Sequence, residues 1–269
     1  MHNHKTDRDL LDALSFEVEL NVRRHVAEAA QWQPHDLVPW SDGRNFAFLG
    51  GEDWTPEQSK LDESTKLALT VSLLLADNLP AYHRELAAYL LREPWFGWVG
   101  RWTAEENRHA IVIRNYLMAT RAVDPVELER VRMAHMTAGL AKPAMGLLEI
   151  LVEAAFDETA SAVLHRNIAA ATSDPAVAAI CERIAADDEL QAVFFANLVT
   201  GAFEVAPDQA LQAIADRVAG WRMPTVELPG RDSAAELAAA GLYAPERTSE
   251  LVFAPLLHRW RVADRTAAV

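Results

Sequence analysis

A Glu-x-x-His pair inside a long segment without glycine or proline constrains the fold of this chain more than any other feature. No Gly or Pro occurs between Arg101 and Val123, so this segment is predicted to be helical. Glu106 and His109 lie three positions apart in it, which places both side chains on one helix face. A pair of this kind that points into a helical bundle is the repeating unit of dinuclear carboxylate-bridged iron sites. By itself the spacing is a weak indication, because a solvated acidic helix face contains the same pair by chance.

The composition also favours helices. The chain has 269 residues, of which 51% are hydrophobic, and it contains only 11 Gly. That length and hydrophobic content suffice for one large core, and few stretches alternate apolar and polar residues as strands do. The sequence therefore predicts an all-α helical bundle in a single domain.

The charge and the cysteine content exclude several classes of protein. The formal net charge of -14 disfavours nucleic-acid binding, which needs a basic surface. The single Cys181 excludes an internal disulfide. Nothing resembles a signal peptide, and no apolar run reaches the length of a membrane span. We therefore predict a cytoplasmic protein with no nucleic-acid partner and no membrane span.

Apolar periodicity and helix-breaking residues divide the chain into segments. Residues 1–9 are polar and are predicted to be a disordered tail, and residues 10–265 are predicted to form the helical bundle domain. Pro80 is expected to kink a long helix, because proline donates no backbone hydrogen bond. The predicted segments are a helix over 9–30, an irregular connection over 32–55, a helix over 61–91, a tryptophan-rich turn over 94–101 and helices over 145–172 and 175–202.

Four stretches, taken in order along the chain, carry a resemblance to a known family. They are Trp32-Gln33-Pro34-His35-Asp36, Asp77-Asn78-Leu79-Pro80-Ala81-Tyr82, the segment from Trp102 to His109 and Ile184-Ala185-Ala186-Asp187. Together they resemble the soluble acyl-acyl-carrier-protein desaturases, over roughly residues 15 to 265. The resemblance implies a ferritin-like helical bundle with additional flanking helices, two bound irons and a homodimer.

The resemblance also implies a set of metal ligands, which this chain keeps only in part. The positions that match the family's ligands are occupied by Ala76, Glu106, His109, Glu158, Asp188 and Gln191. Alanine has no donor atom at the position of the first family glutamate, and glutamine replaces the second family histidine. For Glu158 the alternative is a surface acid on the polar edge of its helix.

Three further residues match family positions with other roles. Trp32 and Asp187 match the tryptophan and the aspartate that are thought to lead electrons to the iron, and Ser161 matches a threonine near the oxygen site. For Trp32, a plain packing role remains an equal alternative.

The altered ligands change the charge balance that the resemblance implies. Three carboxylates against two divalent ions leave about one uncompensated positive charge in a low-dielectric interior, which disfavours full loading. A single ion held by Glu106, His109 and either Asp188 or Glu158 fits the charges better. Gln191 adds a weak amide oxygen to this ligand set.

Two functions from different classes follow from the resemblance. The first is an oxidoreductase that uses oxygen, iron and electrons from reduced ferredoxin on an acyl chain tethered to acyl carrier protein, in fatty acid metabolism. An acidic carrier protein requires a local basic patch on this acidic chain. The second is a pseudo-desaturase that keeps an apolar acyl tunnel and the dimer surface but has lost oxygen chemistry, because Ala76 and Gln191 replace ligands.

Overall fold

The computed structural model describes residues 5–89 and 93–266, and these residues form helices and loops without a β-strand. The predicted all-α class is therefore confirmed. No helix in the described ranges is both long and apolar enough to cross a membrane. In chain order, the helices are α1 (Asp7–Glu28), α2 (Pro34–Leu37), α3 (Glu63–Ala76), α4 (Leu79–Tyr89), α5 (Trp95–Ala119), α6 (Pro125–Ala138), α7 (Leu147–Ala171), α8 (Pro175–Val205), α9 (Pro207–Gly220), α10 (Ser233–Ala239), α11 (Ala254–Arg259) and α12 (Val262–Thr266).

The long helices pack around one hydrophobic core. Helices α7 and α8 form the most extensive pair, and a short connection between them makes them antiparallel neighbours. Helix α1 packs on α8, while α3 packs on α5. Between α5 and α8, the indole of Trp98 stacks on the ring of Phe194 with 3.5 Å between ring centroids. The core therefore fixes how α5 and α8 lie against each other, and these two helices carry most of the predicted site.

The start of α8 shows how the sequence defines a helix end. The Asp174 carboxylate accepts hydrogen bonds from the backbone N–H groups of Ala176 and Val177. Pro175 occupies the first helical position, where its missing N–H would have no partner in the helix. This start agrees with the sequence prediction, and the cap sets the register that brings Asp187 and Asp188 to the interior.

The predicted long helix over 61–91 is two helices. Helix α3 ends at Ala76 and α4 begins at Leu79, with a turn at Asp77 and Asn78 between them. Pro80 therefore occupies the second position of α4, where a missing N–H costs no helical hydrogen bond, and the predicted kink within one helix is wrong. Residues 90 and 91 lie outside the described ranges.

The predicted tryptophan-rich turn is also wrong, because α5 already begins at Trp95. Trp95, Trp98 and Trp102 are buried on one side of this helix, and their packing stabilises its first turns despite Gly97 and Gly100. The helix that carries Glu106 and His109 thus begins before the segment without glycine or proline.

Helix α1 begins inside the segment that was predicted to be a tail. The Thr6 hydroxyl accepts a hydrogen bond from the Asp9 backbone N–H, and the Asp9 carboxylate accepts one from the Thr6 backbone N–H. This reciprocal cap starts the helix at Asp7. The Lys5 backbone N–H donates to Gln209 Oε1 at 2.7 Å, so residues 5–9 are ordered contrary to the prediction. Residues 1–4 lie outside the described ranges.

Candidate metal centre

Helices α5 and α8 bring three potential metal ligands together. One donor atom each from Glu106, His109 and Asp188 lies within 4.8 Å of the others. His109 and Asp188 are buried, and Glu106 is partly buried. Two carboxylates and one imidazole at this spacing can bind a single divalent ion.

The orientation of His109 distinguishes its two ring nitrogens. Nδ1 lies 3.4 Å from Glu106 Oε1 and 3.6 Å from Asp188 Oδ1, so it faces the other potential ligands. Nε2 lies 3.5 Å from Asp187 Oδ2 on the opposite side of the ring. Metal-binding histidines commonly have one nitrogen toward the metal and the other toward a carboxylate. His109 is positioned in that way, with Nδ1 as the donor.

The charges around His109 also suit a cation. Burial disfavours its protonated form, but the carboxylates of Glu106, Asp187 and Asp188 outweigh burial and raise the pKa of His109 well above its ordinary value. An excess of carboxylate charge therefore surrounds the imidazole. A bound metal ion would compensate that charge.

Asp188 is held by two residues of α7. Its Oδ2 accepts a hydrogen bond from Ser161 Oγ at 2.8 Å and lies 2.9 Å from His165 Nδ1. The other oxygen, Oδ1, remains on the side of His109. Ser161 thus contacts a candidate ligand, and Asp188 has one oxygen available for a metal.

His165 is absent from the sequence prediction, although a signal for it exists. It lies four residues after Ser161 and seven after Glu158, so all three share one face of α7. His165 is 6% exposed, and its Nε2 has no hydrogen-bond partner among the described residues. It is therefore a buried neighbour of the site that the helix register alone would have identified.

Glu158 lies beside the three-residue group. It is 8% exposed, so the alternative of a surface acid is wrong. Trp102 Nε1 donates a hydrogen bond to Glu158 Oε1 at 3.0 Å. Burial, together with the charges of Glu106 and Asp188, raises the pKa of Glu158 well above its ordinary value. Glu158 is thus a buried carboxyl group next to the three candidate ligands. Asp188 has the better position for the third ligand.

Gln191 is completely buried one helical turn after Asp188. Its Nε2 points to Glu105 Oε2 at 3.5 Å, as an amide must when it faces a carboxylate. The other end, Oε1, has no hydrogen-bond partner within the described part of the chain. An unpartnered buried oxygen is costly, so Gln191 has an acceptor available in the interior.

Ala76 lines the same cavity as Glu106, His109 and Glu158. The residue is therefore placed where the resemblance puts a glutamate ligand, but it offers no donor. Asp77 does not substitute for it, because both of its carboxylate oxygens pair with Arg132 at 2.7 and 2.8 Å.

Trp32 and Asp187 form a connected path to His109. Trp32 Nε1 donates to Asp187 Oδ2 at 2.8 Å, and the same oxygen faces His109 Nε2. Burial raises the pKa of Asp187, but His109, Trp32 and Arg183 outweigh it and lower that pKa below its ordinary value. Trp32 is 8% exposed, so it also packs in the core. Its hydrogen bond satisfies the buried indole N–H, so the contact is compatible with packing as well as with an electron path.

A second buried contact mirrors this arrangement. Glu105 directly precedes the candidate ligand Glu106, and Asp187 directly precedes Asp188. Glu105 on α5 faces Gln191 on α8, and Asp187 on α8 faces His109 on α5. Glu105 Oε2 lies 2.7 Å from His25 Nε2, and Glu105 Oε1 accepts from Arg101 at 2.5 Å. Gln191 therefore occupies the position that corresponds to His109 across the two helices.

The residues present fit one metal ion. Glu106, His109 and Asp188 supply three donors within reach of one another. A set of ligands for a second ion is incomplete, because alanine at position 76 has no donor atom and Gln191 replaces a histidine that the resemblance implies. The six-ligand, two-ion set that the resemblance implies is not complete in this chain.

Comparison with known proteins identifies the family. The family model for fatty acid desaturases matches residues 6–268. DesA1 of Mycobacterium tuberculosis, named as an acyl-[acyl-carrier-protein] desaturase, is 38% identical over 97% of this chain and 80% of its own length. DesA2 of the same organism, which carries the same kind of name, is 41% identical over 91% of both chains.

A solved structure shows the same fold. The X-ray structure of DesA2 from M. tuberculosis H37Rv superposes with a TM-score of 0.80 and 37% identity, covering 94% of this chain and 95% of the other. The chain belongs to the acyl-acyl-carrier-protein desaturases of the fatty acid desaturase family and is an oxidoreductase of that kind. The predicted family and the ferritin-like helical fold are thereby confirmed.

Proposed function

We propose that this protein oxidises an acyl chain bound to acyl carrier protein, using oxygen and electrons from reduced ferredoxin. One observation carries the proposal: Glu106 and His109 face a cavity that also has an extensive apolar wall. The wall includes Leu75, Leu79, Leu86, Ile113, Ile150 and Leu164. Apolar lining with a few polar groups at one place suits an acyl chain held next to a reactive centre.

The metal in this proposal is a single iron. Glu106, His109 and Asp188 would hold it, with Gln191 Oε1 as a weaker ligand. When bound, iron supplies the exchange of electrons with oxygen, which protein side chains cannot perform alone. Ser161 and His165 keep Asp188 in place, since both contact its second oxygen. Glu158, hydrogen-bonded to Trp102, keeps a polar group at the edge of the site.

Electrons are proposed to enter through Trp32. The indole, the Asp187 carboxylate and the His109 imidazole are in sequence from the outer part of the core to the proposed metal. Arg108 lies over the Trp32 ring at 4.8 Å and donates to its backbone carbonyl at 3.1 Å, which fixes the indole. A fixed ring keeps the donor-to-metal separation constant.

The proposed partners follow from the family. The names of the relatives contain acyl carrier protein, and we propose the same carrier here. Ferredoxin as electron donor, a homodimer and a cytoplasmic location belong to the same proposal.

A second candidate function is a pseudo-desaturase that binds the acyl chain or its carrier without oxygen chemistry. The specific observation in its favour is Ala76, which lines the cavity without a donor atom where the resemblance implies a glutamate. Gln191, which stands where the resemblance implies a histidine ligand, also supports this second function.

Turnover separates the two functions. The iron-loaded protein is incubated with acyl carrier protein charged with saturated chains of several lengths, reduced ferredoxin and oxygen, and the released chains are analysed by gas chromatography and mass spectrometry. An oxidised chain that disappears in His109→Ala supports the oxidoreductase. Binding of acyl carrier protein without any oxidised chain supports the second candidate. The absence of both binding and turnover would contradict both functions.

A further inference from the structure

The cavity next to the candidate metal centre has a charged wall as well as an apolar one. We call this wall the ionic cluster, and it consists of Glu85, Lys142, Glu153, Asp157 and Arg217. Of these, all but Arg217 line the cavity that contains Glu106 and His109. The expectation of an apolar acyl tunnel is therefore wrong for this part of the wall.

Lys142 joins the helices that form the ionic cluster. Its Nζ lies 2.9 Å from Glu85 Oε2 on α4 and 3.2 Å from Glu153 Oε1 on α7. The ammonium group also lies 4.3 Å from the centre of the Tyr82 ring. Arg217 of α9 pairs with Asp157 and lies 3.8 Å from the same Glu153 Oε1. Two cations thus converge on one oxygen of Glu153.

The second oxygen of Glu153 takes part in neither of these ion pairs. Glu153 Oε2 is buried and has no hydrogen-bond partner in the ranges that the structure describes. The Lys142 ammonium has three N–H groups, and it donates to Glu85 Oε2, pairs with Glu153 Oε1 and faces the Tyr82 ring. An acceptor without a partner and a donor whose third N–H faces only an aromatic ring therefore lie in the same cluster.

A purely apolar chain fits this arrangement badly. It would cover the open carboxylate oxygen and the ammonium group and leave both without a hydrogen bond, which is unfavourable in a buried site. An anionic ligand would meet three carboxylates, and a cationic one would meet Lys142 and Arg217. A neutral group that both donates and accepts satisfies the two open positions.

We propose that the ionic cluster is a binding site for a neutral hydroxyl or amide group of the substrate, which donates to Glu153 Oε2 and accepts from Lys142 Nζ. The proposal rests on the proposed function, because it assigns the polar group to an acyl chain or to the pantetheine arm that tethers the chain. Both sources have the same chemistry, a neutral donor and acceptor on an otherwise apolar ligand.

Calorimetric titration of the iron-loaded protein tests the proposal. The probes are hexadecanoyl carrier protein and a series that differs from it by one hydroxyl, placed at successive carbons. Two further probes are the carrier with an unacylated pantetheine arm and the carrier without the arm. If the chain supplies the group, one hydroxylated probe binds about tenfold tighter than the plain chain. If the arm supplies it, the carrier with the arm binds about tenfold tighter than the carrier without it.

Two variants connect either preference to the cluster. In Glu153→Gln the acceptor loses its charge, and in Lys142→Gln the ammonium donor is lost. Each is expected to reduce the preference to about twofold or less while binding of the plain chain persists. Glu189→Gln is the matched control, since Glu189 pairs with Arg166 on the surface between α7 and α8. Circular dichroism identifies a variant that does not fold. The binding preference of the other, folded cluster variant then tests the proposal.

The remaining outcomes overturn the proposal. Equal binding of all acylated probes together with equal binding of the two unacylated carriers would show that no polar group is recognised. A preference that survives in both folded cluster variants would place its origin elsewhere. The absence of binding by every probe would contradict the proposed function itself, whereas equal, measurable binding would contradict only the polar site.

Discussion

Asp187 accepts a hydrogen bond from the Trp32 indole at 2.8 Å through its Oδ2 oxygen. The same oxygen lies 3.5 Å from His109 Nε2, so one carboxylate oxygen joins an indole of the loop after α1 to an imidazole of α5. Helix α8 thus connects the two aromatic side chains through a residue that does not itself need to bind a metal.

Replacing Trp32 by Phe is expected to lower stability and electron transfer together. The ring still fills the core, but a buried carboxylate oxygen loses a donor, at a cost of about 2 kcal/mol in the free energy of unfolding. Urea unfolding measures this cost, and turnover with reduced ferredoxin is expected to fall while iron content is unchanged. Trp40→Phe is the control, because the Trp40 indole is half exposed and donates to the His35 carbonyl. Equal losses of turnover in Trp32→Phe and Trp40→Phe would contradict electron transfer through Trp32.

Loss of the Ser161 hydroxyl is expected to weaken metal binding. Ser161→Ala removes one of the two groups that hold Asp188 Oδ2, and such outer-shell contacts change metal affinity by roughly tenfold. Ser161→Thr keeps the hydroxyl and is expected to bind as the wild type does. Thr159→Ala, which removes a hydroxyl bonded to the Ala155 carbonyl on the same helix, is the control. A titration with ferrous ion followed by calorimetry measures the affinities, and equal affinity in all three variants would contradict the role of Ser161.

Two carboxylate variants identify the third ligand. Asp188→Asn is expected to weaken iron binding by about a hundredfold, since Asp188 belongs to the three-donor group. Glu158→Gln is expected to weaken it by less than about tenfold, because Glu158 lies outside that group. The same titration compares them. A larger loss in Glu158→Gln would assign the ligand to Glu158 instead.

The cap of α3 has a predictable pH dependence. Burial raises the pKa of Asp62, but hydrogen bonds from Ser64 and Thr65 outweigh it and lower the pKa from 3.8 to about 2. Because the pKa is lower in the folded state, the carboxylate stabilises the protein above its unfolded pKa, and this contribution is lost as the pH falls from about 4 to 2.

Asp62→Ala is therefore expected to lower the free energy of unfolding by about 1 kcal/mol at neutral pH. The difference from the wild type is expected to shrink as the pH falls below about 4. Asp62→Asn keeps a capping oxygen without the charge, so its smaller difference is expected to change little with pH. Urea unfolding across this pH range measures both variants, and a wild-type advantage that grows in acid would contradict the argument.

Local sequence rules predicted the parts of the site that lie on one helix. Glu106 and His109 share a face of α5 because helical spacing requires it, whatever packs against them. The cap at Asp174 and Pro175 was predictable for the same reason, since it depends on neighbouring residues alone. The match of Trp32 and Asp187, which are far apart in sequence, came from the family resemblance.

Contacts between helices were not predictable in this way. The position of His165 against Asp188 depends on the packing of α7 on α8, and that of Lys142 against Glu153 depends on a connection with no regular structure. The break between α3 and α4 was mispredicted because a proline inside a helix and a proline at its second position have the same local sequence. Burial of Trp95 and Trp98 likewise overrode the turn signals of nearby glycines.

The number of irons per chain tests the central claim most directly. The wild-type protein and the double variant Ala76→Glu with Gln191→His are loaded anaerobically with ferrous ion, and elemental analysis gives the iron content. We expect about one iron in the wild type, because Glu106, His109 and Asp188 form one donor set, whereas Ala76 and Gln191 leave the ligands for two ions incomplete. The double variant is expected to approach two. Two irons in the wild type, or none, would contradict a single-metal site.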